Sequence, residues 1–163
     1  MSKSVLGFTL IALCAVGLGL FLFLEQNKGA HMVLEGSIKL VRVLQLEPDR
    51  SLLICDFRLK NPADYDFDVK HLALTLTTAN GSELEGTFAA NSEAERIFEA
   101  YPVLGAKYNP VLFTRQKIEK GKTVDRMVAV SYKAPAEVLE SRKKLVLRID
   151  EVDRMVSEIV EKR

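Results

Sequence analysis

The pattern of apolar and polar positions changes twice along the chain of 163 residues. Residues 5–24 carry no charge and are almost all apolar. From residue 32 onward, apolar and polar positions mostly alternate, which is the period of a β-strand with one buried face. Over residues 151–162 the apolar positions recur every three or four residues, which is the period of an amphipathic helix. The pattern therefore predicts an apolar helix, a domain of β-strands and a terminal helix.

The uncharged segment, residues 5–24, is predicted to be a transmembrane helix. Its residues rise about 1.5 Å each and together span about 30 Å, the thickness of the hydrocarbon core of a bilayer. A helix is required there because lipid offers backbone polar groups no hydrogen-bond partners. We expect an uncleaved signal anchor over residues 1–24, a polar linker over residues 25–31 and one domain over residues 32–163.

Two kinds of processing are alternatives to anchoring. A cleaved signal peptide usually has an apolar region of about 7 to 15 residues and then a small-x-small cleavage site. Here the apolar run ends in Phe21–Leu24 and passes directly into Glu25, which favours an anchor. Residues 11–14 resemble a lipoprotein processing box around Cys14, but Leu13 stands where such a box normally has glycine or alanine.

The charges that flank this segment favour one orientation in the membrane. Lys3 and the start amine precede the segment, whereas Glu25 and Lys28 follow it. Because basic residues near a span are retained on the cytoplasmic side, we expect a cytoplasmic N-terminus. The domain then lies outside the cytoplasm, in the periplasm if the source is a diderm bacterium.

The alternating region predicts about seven short strands separated by turns, which is typical of a β-sandwich built from two antiparallel sheets. Residues 83–88 and 111–118 are predicted as strands between the clearer ones. The inward-facing rows of the clearer strands are Ile38, Leu40, Leu44 and Leu46; Leu53, Cys55, Phe57 and Leu59, with Asp56, Arg58 and Lys60 opposite; Leu72, Leu74 and Leu76; Val124, Val128, Val130 and Tyr132; and Leu145, Leu147 and Ile149.

Turn residues stand between these rows. Glu47–Arg50 contains Pro and Asp, both of which favour turns. Asn61-Pro62 ends the second row because proline cannot donate a ladder hydrogen bond. Asn80-Gly81 is a favoured tight hairpin turn, and Glu119–Lys122 is predicted as a turn before the next strand.

Two helices interrupt or follow the strands. The spacing of Ser92 and Glu95 matches a capping box and predicts a short inserted helix that ends before Pro102, with Ile97 and Phe98 toward the core. An ordered loop is expected to follow it, up to Pro110. The second helix is predicted over Glu151–Lys162, with its apolar face formed by Val152, Met155, Val156, Ile159 and Val160.

The balance of charge argues against nucleic acid as a partner. Removing Lys3 from the 23 basic residues leaves 22, which equals the 22 acidic residues. Proteins that bind a phosphate backbone usually have a strongly basic surface. The densest basic run, Arg142–Lys144, is interpreted as a solvated turn. Cys14 and Cys55 fall in separate parts of the chain, so no disulfide is expected between them.

Residues that carry chemistry are sparse. His31 lies in the linker, and His71 lies opposite a buried row, so His71 is interpreted as a surface histidine rather than a catalytic base. Asp64, Asp66 and Asp68 alternate as in some Ca²⁺ sites. An EF-hand loop that starts at Asp64 needs glycine and glutamate where Val69 and Thr75 stand. We therefore expect no catalytic, cofactor-binding or metal-binding residues and no enzyme activity.

Two stretches carry a resemblance to known families. Cys55–Pro62, Val69–Leu76 and Asn80-Gly81 resemble the late-embryogenesis-abundant/WHy-type domain. Gly121–Tyr132 is similar to the penultimate strand of bacterial immunoglobulin-like domains of unknown function on membrane-anchored proteins. Both resemblances imply an immunoglobulin-like β-sandwich without an active site, and the first also implies a stress or desiccation role. The inserted helix and loop over Ser92–Pro110 depart from the plant-type pattern.

The leading functional expectation is a membrane-anchored, extracytoplasmic β-sandwich that acts as a non-catalytic interaction or scaffold module of the cell envelope. The alternatives are a stress-protective or apolar-ligand-binding domain, and an enzyme that uses the three aspartates and His71. The identity of the protein partner and the oligomeric state stay open. The candidate partner contacts are the aromatic and proline residues of the ordered loop, which alternatively cover the core: Tyr101, Pro102, Tyr108 and Pro110.

The predicted topology is testable with a fusion. A reporter enzyme that is active only in the periplasm, attached after Arg163 and expressed in a bacterial host, is expected to be active and to sediment with the membranes. An inactive reporter would place the domain in the cytoplasm. An active reporter in the soluble fraction would indicate cleavage of the apolar segment.

Overall fold

The computed structural model describes Gly17, residues 33–152 and residues 155–162. The chain divides into two units, Met1–Met32 and Val33–Arg163, and the strands and helices below belong to the second. Apart from Gly17, the predicted transmembrane segment and linker lie outside the described residues. None of the helices in the described part of the chain has the length and hydrophobicity that crossing a bilayer requires.

The domain is mainly β. Its described residues form nine strands, two α-helices and one 3₁₀-helix over Pro102–Leu104. The helices are α1 (Asn91–Ala100) and α2 (Ala136–Glu140). The strands are β1 (Glu35–Glu47), β2 (Arg50–Lys60), β3 (Phe67–Thr77), β4 (Glu83–Glu85), β5 (Thr87–Phe88), β6 (Lys117–Ile118), β7 (Thr123–Tyr132), β8 (Lys144–Glu151) and β9 (Val156–Val160).

The strands form two antiparallel sheets, which confirms the predicted β-sandwich. The first sheet has the order β1-β2-β7-β5, and the second has the order β4-β3-β8-β9 with β6 also paired to β3. The predicted turn at Glu47–Arg50 is a tight hairpin, since Glu47 and Arg50 are partners in the ladder between β1 and β2. The inward rows of β2, β3, β7 and β8 form the core between the sheets, as predicted.

The end of β2 is fixed by Asn61, which is fully buried. Its side-chain Nδ2 donates to the carbonyl oxygens of Tyr65, at 2.8 Å, and Ile118, at 2.9 Å. Its Oδ1 accepts a hydrogen bond from the backbone N–H of Ala63 at 3.0 Å. All of these partners are buried or partly buried backbone groups, which need hydrogen-bond partners. The strand therefore ends through the contacts of Asn61 as well as through the neighbouring proline.

The first sheet is covered on its outer face as well. Its central strands contribute a second apolar cluster, on which α1 and the loop after it pack. The cluster consists of Leu52, Ile54, Ala94, Leu104, Val111, Met127 and Ala129. The middle of β2 and of β7 is therefore buried on both faces, whereas the alternating pattern predicted one buried face for each.

A bulge divides β1, so the single inward row predicted for this strand is wrong. The register with β2 shifts between Ile38 and Leu40. As a result, Ile38 packs against the core between the sheets, whereas Leu44 and Leu46 pack against the second cluster. One extra residue in a strand reverses the face of every side chain beyond it.

The segment predicted as a strand over residues 83–88 is two strands in different sheets. β4 pairs with β3, and β5 pairs with β7. Gly86 stands between them, and a Cβ there would lie 2.3 Å from Val130 Cγ1 and 2.9 Å from the Ser131 carbonyl oxygen. Only glycine fits where the chain passes between the sheets. The turn before β4 is confirmed, with Gly81 at φ +91°.

The strand predicted over residues 111–118 is largely wrong. Val111 forms one isolated parallel bridge with Met127, and β6 contains only two residues. Arg115 between them has φ +68°, a left-handed conformation that interrupts a strand. The spacing of apolar residues along the sequence does not reveal such a break.

The predicted inserted helix is confirmed as α1, but it begins earlier than the Ser92 capping box implied. The carboxylate of Glu93 accepts a hydrogen bond from the backbone N–H of Ala90 at 2.8 Å, so Ala90 is the N-cap residue. The helix ends at Ala100, before Pro102 as expected. Ile97 and Phe98 pack against the second cluster rather than between the sheets.

The predicted C-terminal amphipathic helix over Glu151–Lys162 is wrong. β8 continues to Glu151, and β9 pairs antiparallel with β8. In β9 the buried side chains are Ser157 and Ile159, with the period of two that a strand requires. The hydroxyl oxygen of Ser157 accepts a hydrogen bond from the backbone N–H of Leu34 at 2.8 Å, which ties the tail to the start of the domain.

The interpretation of Arg142 as part of a solvated turn is also wrong. Arg142 is buried, while Lys143 and Lys144 are exposed. Its Nε and Nη2 donate to the Glu161 carboxylate at 2.9 and 2.5 Å, and its Nη1 donates to the Leu139 carbonyl oxygen at 2.8 Å. A bidentate pair of this kind is a strong polar contact, and here it holds the segment after β9 against α2.

One hydrogen bond joins the two sheets through the core. The buried hydroxyl of Tyr132 in β7 donates to the Leu74 carbonyl oxygen of β3 at 2.7 Å. Burial also raises the pKa of the Tyr132 phenol, so the donor stays protonated.

We expect Tyr132→Phe to lower the free energy of unfolding by about 1 kcal/mol, because it leaves that carbonyl without its donor. Urea unfolding measures the change. Tyr108→Phe, at an exposed tyrosine, is the control, and an equal loss in both variants would contradict the role of the cross-sheet bond.

Candidate functional site

The residues predicted as partner contacts all lie on the segment that covers the outer face of the first sheet. We call residues 91–110 the insert; it comprises α1, the 3₁₀-helix and the loop that follows. Tyr101 is 37% exposed and Tyr108 is 65% exposed, and Pro102 and Pro110 are exposed as well. Neither tyrosine belongs to the two apolar clusters, so the structure places these four residues at the surface rather than over the core.

Arg42 of β1 holds the insert on the sheet. Its Nη1 donates to the carbonyl oxygens of Leu104, at 2.7 Å, and Ala106, at 2.9 Å. Its guanidinium carbon lies 5.1 Å from the ring centroid of Phe98 and 5.3 Å from that of Tyr108. Both distances fall within the range of a cation–π contact, so one side chain joins α1, the 3₁₀-helix and the loop.

Asp56 of β2 completes this clamp. Only 2% exposed, it accepts a hydrogen bond from Arg42 Nη2 at 2.7 Å on Oδ2 and one from Asn109 Nδ2 at 2.8 Å on Oδ1. We call Arg42, Asp56 and Asn109 the clamp. The sequence pattern predicts Asp56 on the polar side of its strand and does not distinguish Arg42. The available signal was a carboxylate that follows Leu52 and Ile54 in the same row.

Above the clamp the insert presents an apolar surface. Val103, which the sequence analysis did not select, is 81% exposed at the centre of the 3₁₀-helix. We call Tyr101, Pro102, Val103, Tyr108 and Pro110 the insert patch. Tyrosine is enriched in the centres of protein interfaces, and those centres are more apolar than the surrounding surface.

A second feature of the surface is an open cleft at the side of the sandwich. On the side of β3 away from β8, β6 pairs with Phe67 and Asp68 and β4 pairs with residues 75–77. In the described part of the chain no strand pairs with the residues of β3 between them. An open cleft of about 550 Å³ lies at this gap. We call it the apolar cleft; its lining residues include Leu72, Phe88, Ala89, Val111, Phe113 and Val128, with His71, Asn91 and Thr114 as polar members.

The residues weighed for catalysis or metal binding do not converge. Asp66 accepts a hydrogen bond from the backbone N–H of Lys120 at 3.0 Å, and Asp68 pairs with Lys117 at 3.7 Å. His71 is exposed, with its Nδ1 3.7 Å from Asp150 Oδ2. Across residues 33–152 and 155–162, no three His, Cys, Asp or Glu side chains are grouped so that they could hold a metal ion.

The cysteine of the domain is not a nucleophile at neutral pH. Cys55 is fully buried in the core between the sheets. Burial, together with the neighbouring Asp56 carboxylate, raises the pKa of the Cys55 thiol to about 12. Because the thiolate is the reactive form, Cys55 serves the core as a small apolar side chain.

Comparisons with known proteins give similarity only to solved structures. No protein-family model and no curated protein matches the chain. An uncharacterized β-sandwich protein from Clostridium difficile 630 is 13% identical with a TM-score of 0.42, over 82% of this chain and 91% of that one. A functionally unknown protein from Listeria monocytogenes EGD-e is 10% identical with a TM-score of 0.45, over 82% of this chain and 78% of that one. At this level of similarity neither comparison adds to what the two sheets show themselves.

The clamp predicts a large difference between two arginine substitutions in the same sheet. Arg42→Met leaves Asp56 buried without its counter-charge, and breaking a buried pair in this way costs about 3–5 kcal/mol. We expect the free energy of unfolding, measured with urea, to fall by about that amount.

The matched control is Arg58→Met. Arg58 forms an exposed bidentate pair with Asp125, at 2.7 and 2.8 Å, between the neighbouring strands β2 and β7. The Arg58 guanidinium holds the pKa of the Asp125 carboxyl below its ordinary value, but solvent screens exposed pairs and limits their effect on stability. Equal destabilisation by the two substitutions would show that the clamp is not a special contact.

Proposed function

We propose that this protein is a membrane-anchored, extracytoplasmic interaction module of the cell envelope, without catalytic activity, and that its partner binds the insert patch. The observation that carries the proposal is the clamp beneath that patch. It fixes the backbone of an exposed apolar segment by contacts from two strands of the sheet. In this proposal residues 5–24 are the anchor and the N-terminus is cytoplasmic.

The clamp supports binding because it reduces the ordering that a partner must bring about. A loop that is already fixed loses little conformational freedom on association, so more of the contact free energy appears as affinity. Val103 and Tyr108 stand exposed while the backbone beneath them is hydrogen-bonded to Arg42. A loop whose only role is to cover the core needs no such exposed apolar residues.

We also propose that the sandwich is of the immunoglobulin type. The support is the strand order, because immunoglobulin domains have one sheet in the order ABED and a second sheet built around CFG. If β1, β2, β7 and β5 are taken as A, B, E and D, then β4, β3, β8 and β9 follow as C′, C, F and G. Interaction domains of cell surfaces commonly have this architecture, which is analogy at the level of fold.

A second candidate function is the binding of an apolar ligand. The apolar cleft favours it, because clefts of about 300–1,000 Å³ with mainly apolar walls and a few polar groups are typical small-molecule sites. The late-embryogenesis-abundant resemblance implied either stress protection or such binding, and the cleft is an observation in favour of the second.

The interaction proposal is testable by photo-crosslinking in living cells. A photoreactive amino acid at Val103 is expected to give a crosslinked product of higher mass than the protein alone. The product should disappear when Tyr108→Ala is added to the same chain, because that substitution removes a neighbouring contact without touching the core.

The control position is Glu83, which is exposed on β4 in the other sheet. A probe there is expected to give no such product. Equal crosslinking from Val103 and Glu83, or a product that persists with Tyr108→Ala, would contradict the assignment of the insert patch as the binding surface.

A further inference from the structure

The apolar cleft continues into a depression of different chemistry. Thr114 lines both the cleft and a neighbouring depression of similar size. The neighbouring depression is lined by Asp68, Val69, Lys70, Thr114, Arg115 and Val152. A ligand that lies along the wall at Thr114 therefore passes from apolar surroundings to two cationic side chains.

These two cations are available to a ligand. Within residues 33–152 and 155–162, neither Lys70 nor Arg115 takes part in an ion pair or a side-chain hydrogen bond. Two described carboxylates nearby are already engaged. Asp68 is paired with Lys117 at 3.7 Å, and Asp150 is paired with Arg148 at 2.8 Å. Among the residues that the structure describes, Lys70 and Arg115 thus have no anionic partner at the end of the surface beyond Thr114.

The backbone at this point is held in an unusual conformation. Arg115 has φ +68°, a left-handed conformation that non-glycine residues rarely adopt and that recurs at functional sites. Its N–H donates to the Val69 carbonyl oxygen at 2.7 Å, and the Val69 N–H donates to the Gln116 carbonyl oxygen at 3.0 Å. The Arg115 backbone is therefore fixed against β3 beside Lys70.

The gap in the second sheet offers an alternative kind of ligand, a peptide whose extended segment adds a strand to a free edge. The Leu74 carbonyl oxygen of β3 already accepts the Tyr132 hydroxyl at 2.7 Å. An added strand would share that acceptor with the Tyr132 hydroxyl. The arrangement therefore favours a ligand that uses the apolar walls and the cations over one that uses the backbone of β3.

We propose that this surface binds a single-chain anionic amphiphile. The apolar chain lies in the cleft against Phe88, Val111 and Phe113, and the anionic head, a carboxylate or a phosphate, pairs with Lys70 and Arg115. This inference rests on the second candidate function, apolar-ligand binding, and adds the class of ligand. Charge complementarity selects the anionic head, because a neutral chain of equal length fills the same walls and leaves both cations without a partner.

The test uses cis-parinaric acid, an unbranched fatty acid that fluoresces in apolar surroundings, and its methyl ester as a neutral chain of the same length. The full-length protein is held in amphipol, and protein-free amphipol gives the blank. Two variants block the cleft: Ala89→Phe fills it, and Phe113→Asp places a charge on its exposed wall. Lys70→Gln with Arg115→Gln removes the cations, and circular dichroism verifies that each variant is folded.

We expect saturable binding of the acid that both cleft variants abolish. The double charge variant should weaken binding of the acid about tenfold, which is the effect of losing about 1.4 kcal/mol, and should leave binding of the ester unchanged. Added salt should likewise weaken only the acid, through screening.

Three results would overturn the proposal in distinguishable ways. Equal binding of acid and ester, unchanged in the charge variant, would remove the anionic head and leave apolar-ligand binding standing. Binding that neither cleft variant affects would contradict both the anionic head and apolar-ligand binding in the cleft. Displacement of the acid by inorganic phosphate alone would show a simple anion site without a role for the chain.

Discussion

The burial of one carboxylate, that of Asp56, determines how the outer layer of this domain is built. An isolated charge in the middle of a sheet is costly, so it requires a partner with good geometry. Arg42 on the neighbouring strand supplies that partner, and the remaining donors of its guanidinium then need acceptors of their own. Nη1 finds two, the carbonyl oxygens of Leu104 and Ala106, while the buried Nε has no hydrogen-bond partner among the described residues. Satisfying a single buried charge thereby fixes the position of the whole insert, and the exposed side chains of the insert patch follow from it.

The same requirement for satisfied polar groups closes the rest of the domain. Asn61 ends β2 by bonding backbone groups of two different segments. Arg142 and Glu161 tie the residues after β9 to α2, and Ser157 ties β9 to Leu34. Between these contacts the apolar rows of the two sheets supply the main stabilisation through burial.

The sequence pattern predicts the parts of this fold in which one local rule acts alone. The rows from Leu53 to Leu59 and from Leu72 to Leu76 have an apolar residue at every second position, and the glycine turn at Gly81 has its characteristic residues. The pattern fails where the same spacing of apolar residues fits both a helix and a strand. Val152, Val156 and Ile159 fit a helix, but pairing of β9 with β8 supplies a partner that periodicity does not register. It fails again where a second layer covers a strand, as for Asp56, because a row that contains polar residues is then no longer exposed to solvent. The insert patch was found through its tyrosines, whereas the clamp and the apolar cleft depend on contacts between distant segments.

The position of Arg42 on β1 has a mechanical consequence. β1 is the first strand of the domain, and it is joined to β2 along nearly its whole length by antiparallel pairs. A pull transmitted along the backbone from residue 33 therefore loads these hydrogen bonds in shear, all together, rather than opening them one at a time. A load on the insert patch reaches the same strand through the Arg42 guanidinium. Tension between the N-terminal side of the domain and whatever grips the patch thus has a path through β1 and the Arg42 side chain, beside the packing of the insert on the second cluster and the hydrogen bond from Asn109 to Asp56.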